Sequence, residues 1–328
     1  MAKGLSQCLA EFMAKKVNLN PERVQLANAS KENLIENILS FSNDDFFGIY
    51  SEKNIQFGSF ARKTKIHPID DIDLMICLNA DESTYFDNYG EIKISINHSK
   101  SFQNHCLFEG TNQLNSTRVI NQFIGKLENL KDYKKAELHK RGESVTLHLQ
   151  SYEWNFDIVP CFFTTPESDG KTYYIIPDGS GYWKKTDPRI DRQNIIELNK
   201  ATGGLVFEPI RLVKFWNKRP TMPSMPSYAL ECLLVEYFSR QRTINKNLFI
   251  RFQDCLRYIY HNINSAIVDP KMIQGDLNEL GYEERQSIKE RALVDYQKIE
   301  NIRRNIDNID YCNIRLTEIF GNEFPQMG

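Results

Sequence analysis

Asp71 and Asp73 stand at i and i+2 in the run DIDLMICL, with Ile72 between them and Leu74 after. Successive side chains of a strand point to opposite faces, so the two carboxylates share one face and the apolar residues take the other. Like charges about 7 Å apart along one face repel each other. A divalent cation is the partner that gives such a pair a reason to exist. A third acid, Asp157, lies between Phe156 and Ile158 in WNFDIVPCFF. A lone carboxylate in an apolar strand is costly unless paired or liganding, and on a strand beside Asp71 and Asp73 it completes a metal site. The plainer readings are a solvated strand face for the pair and a strand-end hydrogen bond for Asp157.

Upstream, IQFGSFARKTKI reads as a short strand, a Gly-Ser turn and a cramped helix. Gly58 lets backbone approach an anion closely, and Ser59 offers a hydroxyl and an amide where unsatisfied N–H groups favour negative charge. A phosphate cradle and metal carboxylates within one short unit suit a nucleoside triphosphate with Mg²⁺. Asp70 is expected to be a loop or strand-cap residue and His67 an exposed loop histidine.

The strings GSFARKTKI and DIDLM resemble the signature of the polymerase-beta-like nucleotidyltransferases, and within them the bacterial cGAS/DncV-like nucleotidyltransferases (CD-NTases) of anti-phage signalling, relatives of oligoadenylate synthase. The resemblance implies an α+β fold: a polymerase-beta-like core, with a mixed sheet and bracing helices, plus a C-terminal helical domain, bilobal with the active site in the cleft. It implies a catalytic domain over 1–185 and a helical, nucleotide-binding lid domain over 186–328. It also implies a cyclic di- or trinucleotide synthase of the CBASS kind that uses two Mg²⁺ ions, with Mn²⁺ as a substitute, and releases pyrophosphate. Asp71, Asp73 and Asp157 are the catalytic, metal-binding residues on this reading. RLVKFW resembles the helix whose lysine reaches the triphosphate, which points to Lys214 with Arg211 one turn earlier, the alternative being a salt-bridged surface helix. PSYALE resembles the helix start where a serine meets terminal phosphates and an aromatic stacks on a base, which points to Ser227, a suitable N-cap, and Tyr228; an ordinary cap and a core tyrosine are the alternative. Expected partners are nucleoside triphosphates and operon-encoded effector and accessory proteins, the chain itself being a monomer. The rival functions are an RNA-tailing or protein-modifying nucleotidyltransferase and a non-catalytic nucleotide-binding protein.

The rest of the chain must position these residues. Its 328 residues suffice for two domains or one bilobal unit, and 41% hydrophobic with 26% charged residues is ordinary for a soluble protein. No apolar run approaches the roughly 20 residues of a membrane span, and MAKGLSQCLAEF has no secretory core, so a cytoplasmic protein is expected. A net charge of −2 argues against constitutive nucleic-acid binding. The seven scattered cysteines lack zinc spacing and read as buried free thiols.

Helical periodicity predicts an amphipathic helix over 4–17, a second after an N-cap at Ser30, both bracing the sheet, and a third over 116–130. Residues 18–28 read as a polar connection and 79–115 as irregular, with a strand only at IKISIN. Strands are expected at 144–150 and 154–163. From Asp187 onward the pattern is helical, broken at Pro220, Pro223, Pro226 and Asp269–Pro270, with an uncertain tail. The basic run Lys131, Lys134, Lys135, His139, Lys140 and Arg141 reads as a solvated hairpin tip in preference to a nucleic-acid patch. Gly328 is expected to end a frayed tail, the alternative that the family resemblance implies being conjugation to a target.

Overall fold

The computed structural model describes residues 3–41, 45–97, 100–134 and 136–328; of the basic run, Lys135 lies outside them. In chain order come α1 (Leu5–Phe12), α2 (Pro21–Leu39), β1 (Ile55–Phe57), α3 (Gly58–Ala61), β2 (Asp71–Cys77), β3 (Thr84–Asn88), β4 (Glu91–Ser95) and α4 (Ser116–Glu128). Then follow β5 (Glu137–Arg141), β6 (Ser144–His148), β7 (Asn155–Phe163), β8 (Tyr174–Pro177) and β9 (Trp183–Thr186). Six helices follow among the described residues: α5 (Pro188–Ala201), α6 (Phe207–Asn217), α7 (Ser227–Ser239), α8 (Leu248–Asn262), α9 (Tyr282–Arg304) and α10 (Ile309–Phe320).

Two compact units result. One comprises Glu22–Ala61 and Ile69–Arg189, the other Met1–Pro21, Arg62–Pro68 and Ile190–Gly328. The division is therefore not a single cut at 185: α1 belongs to the helical unit, where Cys8, Leu9 and Phe12 pack with Trp216, Phe320 and Phe324. Its apolar stripe packs among the rings of the helical core, so what it braces is the helical unit and not the sheet.

The first unit is built on a mixed sheet that, among the described residues, has nine strands in the order β1-β2-β7-β8-β9-β4-β3, with β6 also on β7 and β5 on β6. β7 runs parallel to β2 and antiparallel to β6 and β8. One face of its central part is apolar: Ile72, Leu74, Val145, Leu147, Phe156 and Ile158 are all buried, and α4 packs on β5 to β8. That face follows from strand alternation, which leaves the opposite face to Asp71, Asp73 and Asp157.

Three expectations are corrected here. α2 begins at Pro21, not after Ser30: proline suits the first helical position, where its missing N–H costs nothing, and the buried Ser30 hydroxyl donates to Ala27 O at 3.0 Å, one turn back in the same helix. Residues 79–115 hold a second strand, since β3 pairs antiparallel with β4 across a turn whose Tyr89 and Gly90 both have positive φ. β3 is largely exposed on both faces, so it carries no alternating signal. β8 and β9 extend the sheet through a segment for which no strand was expected.

The helical unit encloses a core that includes Phe12, Val213, Trp216, Leu234, Phe252 and Leu316. The end of the chain is tied down and not frayed: α10 is followed by buried Phe324 and Met327, and Asn313 Oδ1 accepts from Met327 N at 2.8 Å. All seven cysteines are free. Among the described residues no helix is long and apolar enough to cross a membrane.

Candidate active site

The parallel register of β2 and β7 sets Asp71 opposite Asn155 and Asp73 opposite Asp157. In-register neighbours point to the same side of a sheet, so the three acids share the face away from the apolar layer. β6 extends the rows, with Thr146 opposite Asp157 and His148 opposite Asn155. Thr146 Oγ1 donates to Asp157 Oδ1 at 2.6 Å, and His148 Nδ1–H donates to Asn155 Oδ1 at 2.7 Å. The Asp157 carboxylate is thus oriented by a hydroxyl on one oxygen, while its other oxygen has no hydrogen bond among the described residues. Sequence reasoning counted Thr146 and His148 only as the polar half of an alternating strand; that polar phase was the signal, and pairing gave it meaning.

β1 closes the other side, pairing Phe57 with Asp73. The chain then turns at Gly58, whose φ is +70. A Cβ there would lie 1.8 Å from Asp73 Oδ2. The carboxylate occupies the space a side chain would need, which makes glycine obligatory on two counts. Gly58→Ala is expected to lower turnover by about a hundredfold or more, since displacing a reacting group by an ångström has that effect, with about 1–2 kcal/mol of stability lost to the left-handed backbone. Initial rates and urea midpoints check it; a variant above half the wild-type rate would contradict the geometry.

Phe57, Asp73, Arg141, Gly142, Glu143, Ser144, Asp157 and Val159 line a hollow of about 370 Å³. Ser59 sits beside it in the chain, half-buried, with polar partners of its own. Asp70 is exposed and its carbonyl accepts from Asn155 N at 3.0 Å, continuing the ladder. His67 is exposed, in the segment assigned to the helical unit.

Lys214, Ser227 and Tyr228 lie in the helical unit. Lys214 is 3% exposed and its Nζ sits 2.6 Å from Glu231 Oε1. Glu231 also takes Arg62 Nε at 2.9 Å and Thr64 Oγ1 at 2.7 Å. The structure therefore shows Lys214 within a buried ion cluster and neither at an open anion site nor on a surface helix. Arg211 is half-buried and makes no hydrogen bond or ion pair among the described residues. Ser227 is exposed and is the first residue of α7; the cap position is Pro226, so Ser227 does not cap the helix.

Tyr228 OH donates to Asp191 Oδ1 at 2.7 Å and lies 3.2 Å from Asp269 Oδ1, while Lys271 donates to it. Burial, then the nearby thiol of Cys232 and the carboxylate of Asp191, push the phenol far above its usual range, so it serves as a neutral donor. Arg62 lies over its ring at 5.2 Å. The ring lines a hollow of about 220 Å³ with Ile195, Cys232, Val235, Ile267 and Pro270. Asp191, Asp269 and Lys271, which fix the tyrosine, were not legible as a group because Asp191 lies far in the chain from the Asp269–Lys271 turn.

Thr146→Val keeps shape but removes the donor to Asp157. Loss of an outer hydrogen bond to a liganding group typically costs ten- to a hundredfold in activity, and about that is expected in initial rate, with Thr146→Ser recovering most of it. Equal rates for Val and wild type would remove Thr146 from the site.

Comparison with known proteins adds three findings. The chain is 36% identical over 335 residues, covering 99% of both chains, to a probable cyclic nucleotide synthase of Bacillus cereus (strain VD146). Solved structures of E. coli MS115-1 CdnC with ATP and of its complex with HORMA-deltaN each superpose with a TM-score of 0.69, covering 98% of both chains at 16% identity. No family model matches the sequence.

Proposed function

The chain belongs to the bacterial cGAS/DncV-like nucleotidyltransferases, the CD-NTases, and from that premise we propose that it condenses nucleoside triphosphates, ATP among them, into a cyclic di- or trinucleotide. In this reaction a ribose hydroxyl attacks an α-phosphorus, the bond from that phosphorus to the pyrophosphate oxygen breaks, pyrophosphate leaves, and the hydroxyl proton passes to a carboxylate or to solvent. The product serves as a second messenger in anti-phage defence of the CBASS type.

The observation that carries the reading is the register of Asp73 against Asp157, with Gly58 pressed on Asp73. Among the described residues no group of three acidic, histidine or cysteine side chains forms a ready cage for an ion. Mg²⁺ keeps several waters and is held by one or two carboxylates together with substrate phosphates, so the triphosphate would complete its coordination here. The space denied to a Cβ at Gly58 is the close approach that a carboxylate floor beside a phosphate turn requires. Asp71, Asp73 and Asp157 would hold the ions, which supply a more acidic hydroxyl and a screened triphosphate. Gly58 and Ser59 offer backbone to the triphosphate; Ser227 and Tyr228 would be nucleotide contacts of the helical unit, whereas Lys214 stays with Glu231 in the buried cluster. The CdnC complexes support ATP as one substrate and an accessory protein as a partner.

The test is incubation with nucleoside triphosphates and Mg²⁺ or Mn²⁺, then phosphatase and mass spectrometry. A phosphatase-resistant product without terminal phosphate is expected. Label carried into RNA or protein would indicate a different acceptor, and nucleotide binding without turnover by folded protein would overturn the proposal.

A further inference from the structure

The hollow over Asp73 and Asp157 is also lined by the tip of the β5–β6 hairpin, and that tip is built with more care than a solvated turn requires. Arg141 pairs with Ser144 across a two-residue loop of Gly142, at φ +58, and Glu143. A glycine at the first loop position gives a tight turn matched to strand twist. Glu143 is paired with Lys184. The backbone of Gly142 lies so near Gly179 that a Cβ on the latter would come within 3.8 Å of it. The tip is therefore tied to β9 through Lys184.

Alternation divides the basic run between two faces. Lys140 points away from the carboxylates and donates to Thr117 Oγ1 at 2.7 Å. Arg141 and His139 share the face of Ser144, Thr146 and Asp157, through the pairs Arg141 with Ser144 and His139 with Thr146. His139 and Arg141 thus lie on one face of the hairpin and Lys140 on the other. The Arg141 guanidinium is left exposed, at the edge of a hollow that also contains Asp73, Glu143 and Asp157, and it makes no ion pair or hydrogen bond among the described residues.

We propose that Arg141 is a substrate-binding residue whose guanidinium takes the phosphate oxygens of the acceptor nucleotide, the one whose hydroxyl attacks. The argument is one of position and charge. The Gly58–Ser59 turn abuts Asp73 from the β1 side, and the proposal rests on the reading that the donor triphosphate lies there. Arg141 comes from the opposite side, across β7 and β6, so the phosphate within its reach belongs to the other nucleotide. A planar guanidinium pairs with phosphate through two parallel N–H···O bonds, and the acids of the hollow leave it free to do so. After the first condensation the acceptor is the linear dinucleotide, which Arg141 retains for ring closure.

Arg141→Ala and Arg141→Lys test this with the linear dinucleotide pApA as the binding probe and with the product assay. In Ala, pApA binding is expected to weaken about ten- to a hundredfold, the size of a charge-assisted contact, and linear dinucleotide to accumulate at the expense of cyclic product. Lys recovers part of the affinity only, because it lacks the fork. Circular dichroism and thermal unfolding should match wild type. Unchanged pApA affinity in Ala overturns the proposal, as does a wild type that binds no pApA. If wild type makes no cyclic product yet Ala loses pApA, the synthase reading fails and the phosphate contact stands.

Discussion

Asp73→Asn should reduce nucleotidyl transfer at least about 10³-fold while leaving the fold intact. The carboxylate sits at the junction of three features: opposite Asp157 on β7, opposite Phe57 on β1, and in the space over Gly58. Asparagine fills the same volume but brings no charge to a cation. Several kcal/mol of transition-state stabilisation depend on such ligation, and about 4 kcal/mol corresponds to a thousandfold in rate. The fold should persist, since asparagine keeps the side-chain volume over Gly58. Initial rates with Mg²⁺ and urea unfolding separate the two effects. More than a tenth of wild-type activity in Asp73→Asn would end the argument that these aspartates hold the ions.

Glu231→Gln should be the most destabilising single substitution considered, at about 3–5 kcal/mol, the usual consequence of breaking a buried ion pair from one side. Glu231 is 2% exposed and is the shared acceptor for Arg62, Thr64 and Lys214. Glutamine offers no charge to the two cations, and Lys214 has nowhere to be hydrated. The double variant Glu231→Gln with Lys214→Met should recover part of the loss, because the uncompensated ammonium goes with its partner. The pH dependence has a definite sign. Burial raises the Glu231 carboxyl's pKa, but Arg62 and Lys214 more than reverse this, so it lies below the ordinary value. A carboxyl depressed in the folded state contributes stability above its unfolded pKa, near 4.3. The gap between wild type and Glu231→Gln should therefore be level from neutral pH to about 5 and close as pH falls through the lower, folded value. A gap that persists unchanged into strong acid, or that never exceeds about 1 kcal/mol, would show that the cluster is not held by charge.

Strongly periodic or specifically spaced residues were legible in the sequence. The face shared by Asp71 and Asp73 follows from strand alternation alone, and the helical stretches from α4 to α9 follow from their apolar stripes. The strands β8 and β9 escaped, and so did β3 and the start of α2. β3 has no buried face, so nothing in Thr84–Asn88 alternates. α2 was begun late because Ser30 is a common cap residue, whereas its hydroxyl instead bonds back to Ala27 within a helix started by Pro21.

By itself the sequence determined which residues have the chemistry: acids at strand spacing, a glycine before a serine, and a resemblance strong enough to name a nucleotidyltransferase family. Tertiary structure alone decided what each of them meets. Asp157 lies opposite Asp73 because β7 inserts beside β2, a pairing between segments more than eighty residues apart that no local propensity encodes. Lys214 pairs with Glu231, and the Arg141 guanidinium forms no ion pair among the described residues, for the same reason: charge pairing depends on distances of a few ångströms, and those are fixed only when buried layers lock strands and helices into register.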